Sequence, residues 1–186
     1  CFGQAPFFGL GPYTYAVAVL NMGDSTVPFL LPIVVPTLFA ALLGYVIFYG
    51  RLSDVYMGVI TLTVTLILFN LVNSTAGPEW RIGSAPLGGF NGIPAIPTLN
   101  WPGQPDEVLT PKDLFYVTFA CLLLVYLGLR VLISWKIGRV IVAAKENEQR
   151  VLLLGYDARI YKLFSFTLGG PIAGLAACLF PYWGGF

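Results

Sequence analysis

Five apolar stretches of this chain carry no Asp, Glu, Lys or Arg: residues 1–23, 25–50, 55–78, 114–129 and 163–186. A helix that crosses the hydrocarbon core of a bilayer needs about 20 predominantly apolar residues. Four of these blocks are long enough as they stand, and the block 114–129 gains the length by running past Arg130. Soluble domains have about a quarter of their residues charged and about half apolar. Here 10% are charged and 57% are hydrophobic. In lipid, backbone groups must find their partners within the protein, which leaves helices or a closed barrel. No alternating pattern of about ten residues recurs, as barrel strands require. The expectation is an all-α, polytopic integral membrane protein, with 1–186 as a single transmembrane domain.

The blocks give five spans, at roughly 1–20, 28–50, 55–74, 114–135 and 160–182. The connections are 21–27, a tight turn at 51–54, a long loop at 75–113 and a charged segment at 136–159. The third span, YMGVITLTVTLILFNLVN, is rich in Val, Ile and Thr and would read as a strand in water. In lipid an isolated strand leaves its backbone unsatisfied, so a helix is expected there.

Lys and Arg fall unevenly. Arg51, Arg130, Lys136, Arg139, Lys145, Arg150, Arg159 and Lys162 belong to one side, and Arg81 and Lys112 to the other. By the bias of basic residues toward the cytoplasm, 136–159 is cytoplasmic and 75–113 is extracytoplasmic. Arg130, near the end of its helix, is expected to reach the inner headgroups.

Several function classes lose their chemistry at this point. The chain has no His, the commonest general base and metal ligand. Cys1, Cys121 and Cys178 lie far apart in apolar surroundings and read as small buried hydrophobes. A net charge of +1 gives no electrostatic footprint for nucleic acid. No cofactor, metal or catalytic residue is expected. The chain starts without Met inside an apolar stretch, with no basic segment before it, and reads as a fragment.

Helix breakers occur at membrane depth. GQAPFFGLGPYTY, residues 3–15, holds Gly3, Pro6, Gly9, Gly11 and Pro12. It fits either a broken helix or close helix packing through small residues. Pro28, Pro32 and Pro36 share one face, and the last two are expected to kink the second span. Gly170 and Gly174, continued by Ala177, have the spacing of a close helix–helix contact. Thr61 and Thr65 share a face with Gly58; they either bond their own backbone carbonyls or line a path.

The loop 75–113 holds seven of the 14 prolines and six glycines. It reads as a run of turns, with Asn91-Gly92 as a turn pair and Trp80 and Trp101 at the outer interface. It is either a partner surface or a plain connection.

The segment at 138–157 differs from the rest. Four charges lie within Lys145–Arg150. Ala143 to Leu154 are nearly all good helix formers, and Glu146 and Arg150 stand at the i,i+4 spacing of an ion pair. Gly155 is placed to end the helix in the left-handed conformation, and Asp157 to cap the next one. An apolar helix end rimmed by charge fits either a docking surface or a helix resting on headgroups.

This segment resembles the cytoplasmic coupling loop of ABC importer permeases. GQAPFFGLGPYTYA at 3–16, LGGFNGIPAIP at 87–97 and AKENEQRVLLLGYDARIYKLFSFTLGGPIAGLAACLF at 144–180 resemble the permeases of branched-chain amino acid importers. RLSDVYMGVITLTVTLILF at 51–69 fits the same order. The resemblance implies a pore subunit in the plasma (inner) membrane, driven by separate ABC ATPase subunits. It further implies a second, homologous permease subunit and a periplasmic substrate-binding protein, with membrane lipid around it. In keeping with that, the chain has no phosphate-binding loop of the type G-x-x-x-x-G-K-[ST]. The expected ATPase-coupling residues are Lys145, Glu146, Asn147, Glu148, Arg150, Leu154, Gly155, Tyr156 and Asp157. Residues of a substrate path would be Thr61, Thr65, Gly89, Asn91 and Gly92. The expected substrate is a branched-chain or other hydrophobic amino acid, with urea or a short-chain amide as the alternative within the family. An ion-coupled carrier is the rival outside it, but such carriers need an ionisable residue at mid-membrane, and no block has one at its centre.

Overall fold

A computed structural model describes residues 3–50, 52, 54–77, 79–89, 92–93, 96–97, 99–101 and 104–180. Helix α1 runs Gln4–Met22, α2 Leu31–Tyr49 and α3 Asp54–Ser74. Helix α4 covers Pro111–Ser134, α5 Lys136–Glu146, α6 Glu148–Leu153 and α7 Ala158–Leu179. Among the described residues, Pro28–Tyr49, Val55–Ser74, Pro111–Ser134 and Ala158–Leu179 are long and apolar enough to cross a membrane. The first expected span forms helix α1, of 19 residues, which is not among these four. The third span is a helix, as the need to satisfy its backbone in lipid requires.

Helices α1, α2 and α7 pack together as the centre of the molecule. Lipid provides little hydrophobic drive between helices, so close backbone approach through small residues has to hold them. Of the two readings of 3–15, the structure takes packing: α1 is continuous through Pro12, and Gly11 lies against Gly174 of α7. A Cβ on Gly11 would come within 2.8 Å of the Gly174 Cα. On its other side Gly174 meets α2, where an added Cβ would strike the Pro32 carbonyl and lie 2.7 Å from Pro36 Cγ. Pro36 has no N–H to bond that carbonyl, so the proline leaves it facing the glycine. One turn earlier, a Cβ on Gly170 would lie 2.5 Å from the Pro36 carbonyl oxygen. Pro28 opens a short 3₁₀ turn, Pro28–Leu30, and Pro32 falls in the first turn of α2. All three prolines are fully buried, and Pro32 and Pro36 form the surface that receives α7.

Two apolar clusters complete this centre. Near one end Phe7, Ala40 and Ala173 pack with Phe39, Leu43 and Phe166. Phe7 stands edge-on to Phe39 at 5.9 Å and to Phe166 at 5.8 Å. Toward the other end Tyr15, Val19, Leu99, Leu114, Cys178 and Leu179 join α1, α7, the start of α4 and the long loop. Helices α3 and α4 expose most of their apolar side chains.

The long loop is not structureless. It forms two antiparallel hairpins, β1 Arg81–Ile82 with β2 Ala85–Pro86, and β3 Asn100–Trp101 with β4 Gln104–Val108. Side chains at the end of α1 and in the α1–α2 connection hold both. Asn21 donates to the Ile82 carbonyl at 3.0 Å and accepts from the Ser84 N–H at 2.9 Å. Asn100 accepts from the Ser25 N–H at 2.9 Å and donates to Asp24 at 3.0 Å. The Ser25 hydroxyl also bonds Asn100, and both residues are buried. A capping box between Thr110 and Asp113 then starts α4.

The expected helix over Ala143–Leu154 is interrupted. Asn147, at φ −157° and ψ 101°, separates α5 from α6 and caps α6 by accepting from the Arg150 N–H at 3.0 Å. Glu146 and Arg150 therefore do not lie on one helix, and their expected i,i+4 pair is absent. Asn competes well for N-cap positions, and here that preference wins over the helix formers around it.

Candidate functional site

The charged segment brings its residues to one end of the molecule. Glu148, first in α6, forms an ion pair with Lys162 of α7 at 2.6 Å. Gly155 takes φ 84°, and its N–H bonds the Leu152 carbonyl while that of Tyr156 bonds Val151. This is a Schellman stop, which Gly tolerates without strain. Asp157 accepts from the Arg159 N–H at 3.0 Å and caps α7. Tyr156 stands edge-on to Tyr161 at 6.1 Å and lies beneath the Lys136 ammonium at 5.6 Å. Within α6 Val151 is buried, whereas Leu153 is 87% and Leu154 73% exposed. Lys145, Glu146 and Arg150 are exposed around it. The result is a short, doubly capped helix with an apolar tip, fixed to α7 and standing clear of the bundle.

Two cavities flank α1. One, of about 410 Å³, opens at the charged end among the ends of α1, α2, α3, α5 and α7. The other, of about 770 Å³, runs between α1 and α3 toward the hairpins, with walls almost wholly apolar. Of the expected path residues, Thr65 lines the larger cleft. Thr61 is buried and donates to the Gly58 carbonyl, and Thr65 donates to that of Thr61. Gly89 is buried at φ 57°, and its carbonyl accepts from Tyr13, which lines the cleft. Gly92, at φ 74°, closes a turn back onto Gly89. Asn91 lies outside the described residues. Gly170 and Gly174 form the contact with α2 described above, and Ala177 is buried on the same helix.

Asn21, Ser25, Ser84 and Asn100, which hold the hairpins, were not among the expected site residues. Asp24-Ser25-Thr26 carries a turn signal, but nothing local marks Asn100 as its partner 75 residues away. At the turn itself, hydrogen bonds from Asn100 and then from the Thr26 backbone hold the Asp24 carboxyl below the usual carboxylate range.

Residues 2–184 match the family model described as branched-chain amino acid transport system / permease component. Comparison with curated proteins and with solved structures gave no match. Four apolar spanning helices, a capped charged helix at one end and a family match over nearly the whole length agree. The chain belongs to the branched-chain amino acid transport permease family, as a multi-pass membrane permease component and not an enzyme.

Proposed function

We propose that this chain is the pore subunit of an ABC importer in the plasma membrane and that α6 is its docking element for the ATPase. The observation that carries this reading is the exposed apolar tip of α6, closed by Gly155 and tied to α7 through Glu148 and Lys162. An exposed apolar surface rimmed by charge is suited to a protein partner. In this reading 136–159 lies in the cytoplasm and 75–113 outside, where a substrate-binding protein meets the hairpins. Nucleotide-driven movement of the ATPase displaces α6, and the ion pair passes the displacement to α7. Because α7 is packed against both α1 and α2 at Gly174, the movement reaches the helix that walls the cleft.

The nearly apolar walls of that cleft favour a hydrophobic amino acid side chain over urea or an amide, whose polar groups would lack partners there. The test of docking is the variant Gly155→Val in the assembled transporter. A β-branched residue is strained at φ 84°, so membrane insertion should persist while the ATPase no longer co-purifies. Unchanged co-purification overturns the docking role.

A further inference from the structure

The 410 Å³ pocket at the charged end combines two chemistries. Its rim carries the ammonium groups of Lys145 and Lys162, with the side chains of Gln4 and Ser165 beside them. Its floor is apolar, built by Phe7, Phe48, Met57 and Phe166. The depth is set by the helices. Phe48 is next to last in α2, Met57 lies in the first turn of α3, and Lys162 lies near the start of α7. If α2, α3 and α7 span the bilayer, these positions fall where hydrocarbon gives way to headgroups.

The charge at this rim is not balanced. Lys162 is paired with Glu148, but Lys145 makes no ion pair among the described residues. Lys136, Arg139 and Arg159 add positive charge at the same end, against Glu146 and Asp157. Next to the pocket, α3 exposes Val55, Tyr56 and Val59, so an apolar chain lying along α3 could reach the floor from the side. A basic pocket between membrane helices at the headgroup level suits an anionic lipid.

We propose that this pocket binds an anionic phospholipid, its phosphate held at Lys145 and Lys162 and the upper part of an acyl chain lying on Phe48 and Met57. The site is separate from the apolar cleft between α1 and α3 and does not depend on α6 docking to an ATPase. The phosphate also competes with Glu148 for Lys162. Lipid occupancy therefore loosens the link between α6 and α7, which makes the lipid composition of the membrane a regulator of that link.

The test reconstitutes the assembled transporter in vesicles of phosphatidylcholine, with and without phosphatidylglycerol, and measures retained lipid by native mass spectrometry. The native chain should keep phosphatidylglycerol in preference to phosphatidylcholine. Lys145→Gln should lower that retention about fivefold, in line with the attraction of one basic residue to an anionic lipid surface. Lys145→Arg should restore it, and Arg81→Gln, in β1 at the other end of the molecule, should leave it unchanged. Equal retention of the two lipids, or no loss in Lys145→Gln, overturns the proposal. Two competitors identify other occupants. Displacement by inorganic phosphate would make this a plain anion site, and displacement by free leucine a station for the transported solute; either result also overturns it.

Discussion

Glu148 and Lys162 stand 2.6 Å apart, 14 residues apart in sequence, and join the short helix α6 to the second turn of α7. Both side chains are more than a third exposed, so the pair contributes only about 0.2–1 kcal/mol to stability, as surface pairs do. Under the proposed docking role its value lies in direction: a push on α6 would pass through this ion pair to a helix packed into the core. Glu148→Gln should leave the melting temperature in detergent nearly unchanged. It should lower transport-coupled ATP hydrolysis in proteoliposomes severalfold. The double exchange Glu148→Lys with Lys162→Glu should recover much of it. A large fall in melting temperature for Glu148→Gln would assign the pair to folding instead.

Among the glycines within the described helices, Gly174 has the least room. Its Cα faces the Pro32 carbonyl on α2, and its own carbonyl faces Gly11 on α1. Gly174→Ala must push α7 away from α2, and forcing extra volume into a packed contact costs about 1–3 kcal/mol. Gly9, on the same α1 helix as Gly11, has no atom within 4 Å of an added Cβ. Gly9→Ala should be neutral or slightly stabilising, since Ala is the better helix former. Thermal unfolding of the two variants in one detergent checks the contrast, and equal melting temperatures would remove Gly174 from the packing account.

The spans were legible because charge is so costly in lipid that its absence from long apolar runs marks them, whereas 82–105, equally free of charge, is broken by Gly and Pro; Gly155 and Asp157 were legible because their chemistry is local. The break at Asn147 was harder to see. Good helix formers lie on both sides of it, and the choice between running through Asn147 and capping there is settled by where α6 must pack. The prolines at 32 and 36 suggested a bend, whereas their larger consequence is a buried face with a free carbonyl that only glycine can approach. Of the larger cleft only Thr65 was read in advance. Its walls come from α1, α2, α3 and the long loop, and no spacing within one element encodes their meeting.

Asn100 should be the most sensitive residue of the long loop. Its side chain accepts from the Ser25 N–H and donates to Asp24 and to the carbonyls of Trp101 and Gln104. Asn100→Ala leaves the buried Ser25 N–H without its partner, at about 1–3 kcal/mol for a buried group left unsatisfied, while the Ser25 hydroxyl keeps the Asn100 backbone N–H and carbonyl. The second hairpin should lose its hold on the α1–α2 connection while the first, held by Asn21, stays docked. Amide hydrogen exchange followed by mass spectrometry should show faster exchange over 99–109 and little change over 81–87. Uniform acceleration across both hairpins would mean that the loop is one unit rather than two separate anchors.

Acid should release the same hairpin. Asp24 accepts from the Asn100 amide at 3.0 Å, from the Thr26 N–H at 3.2 Å and from the Thr26 hydroxyl at 3.0 Å. These bonds favour the ionised carboxylate and lower its pKa, the Asn100 bond most. A lowered folded pKa means that the docked form binds its proton less readily than the undocked form. The contribution is therefore complete above the ordinary Asp value of about 3.9 and fades as pH falls below it. Protection of the Asn100 and Leu109 amides, corrected for intrinsic exchange, should hold from about pH 7 down to the ordinary Asp value of about 3.9 and fall below it. In Asp24→Asn the acid-dependent fall should vanish, because no proton can be gained. A native-like pH response in that variant would place the titrating group elsewhere in the loop.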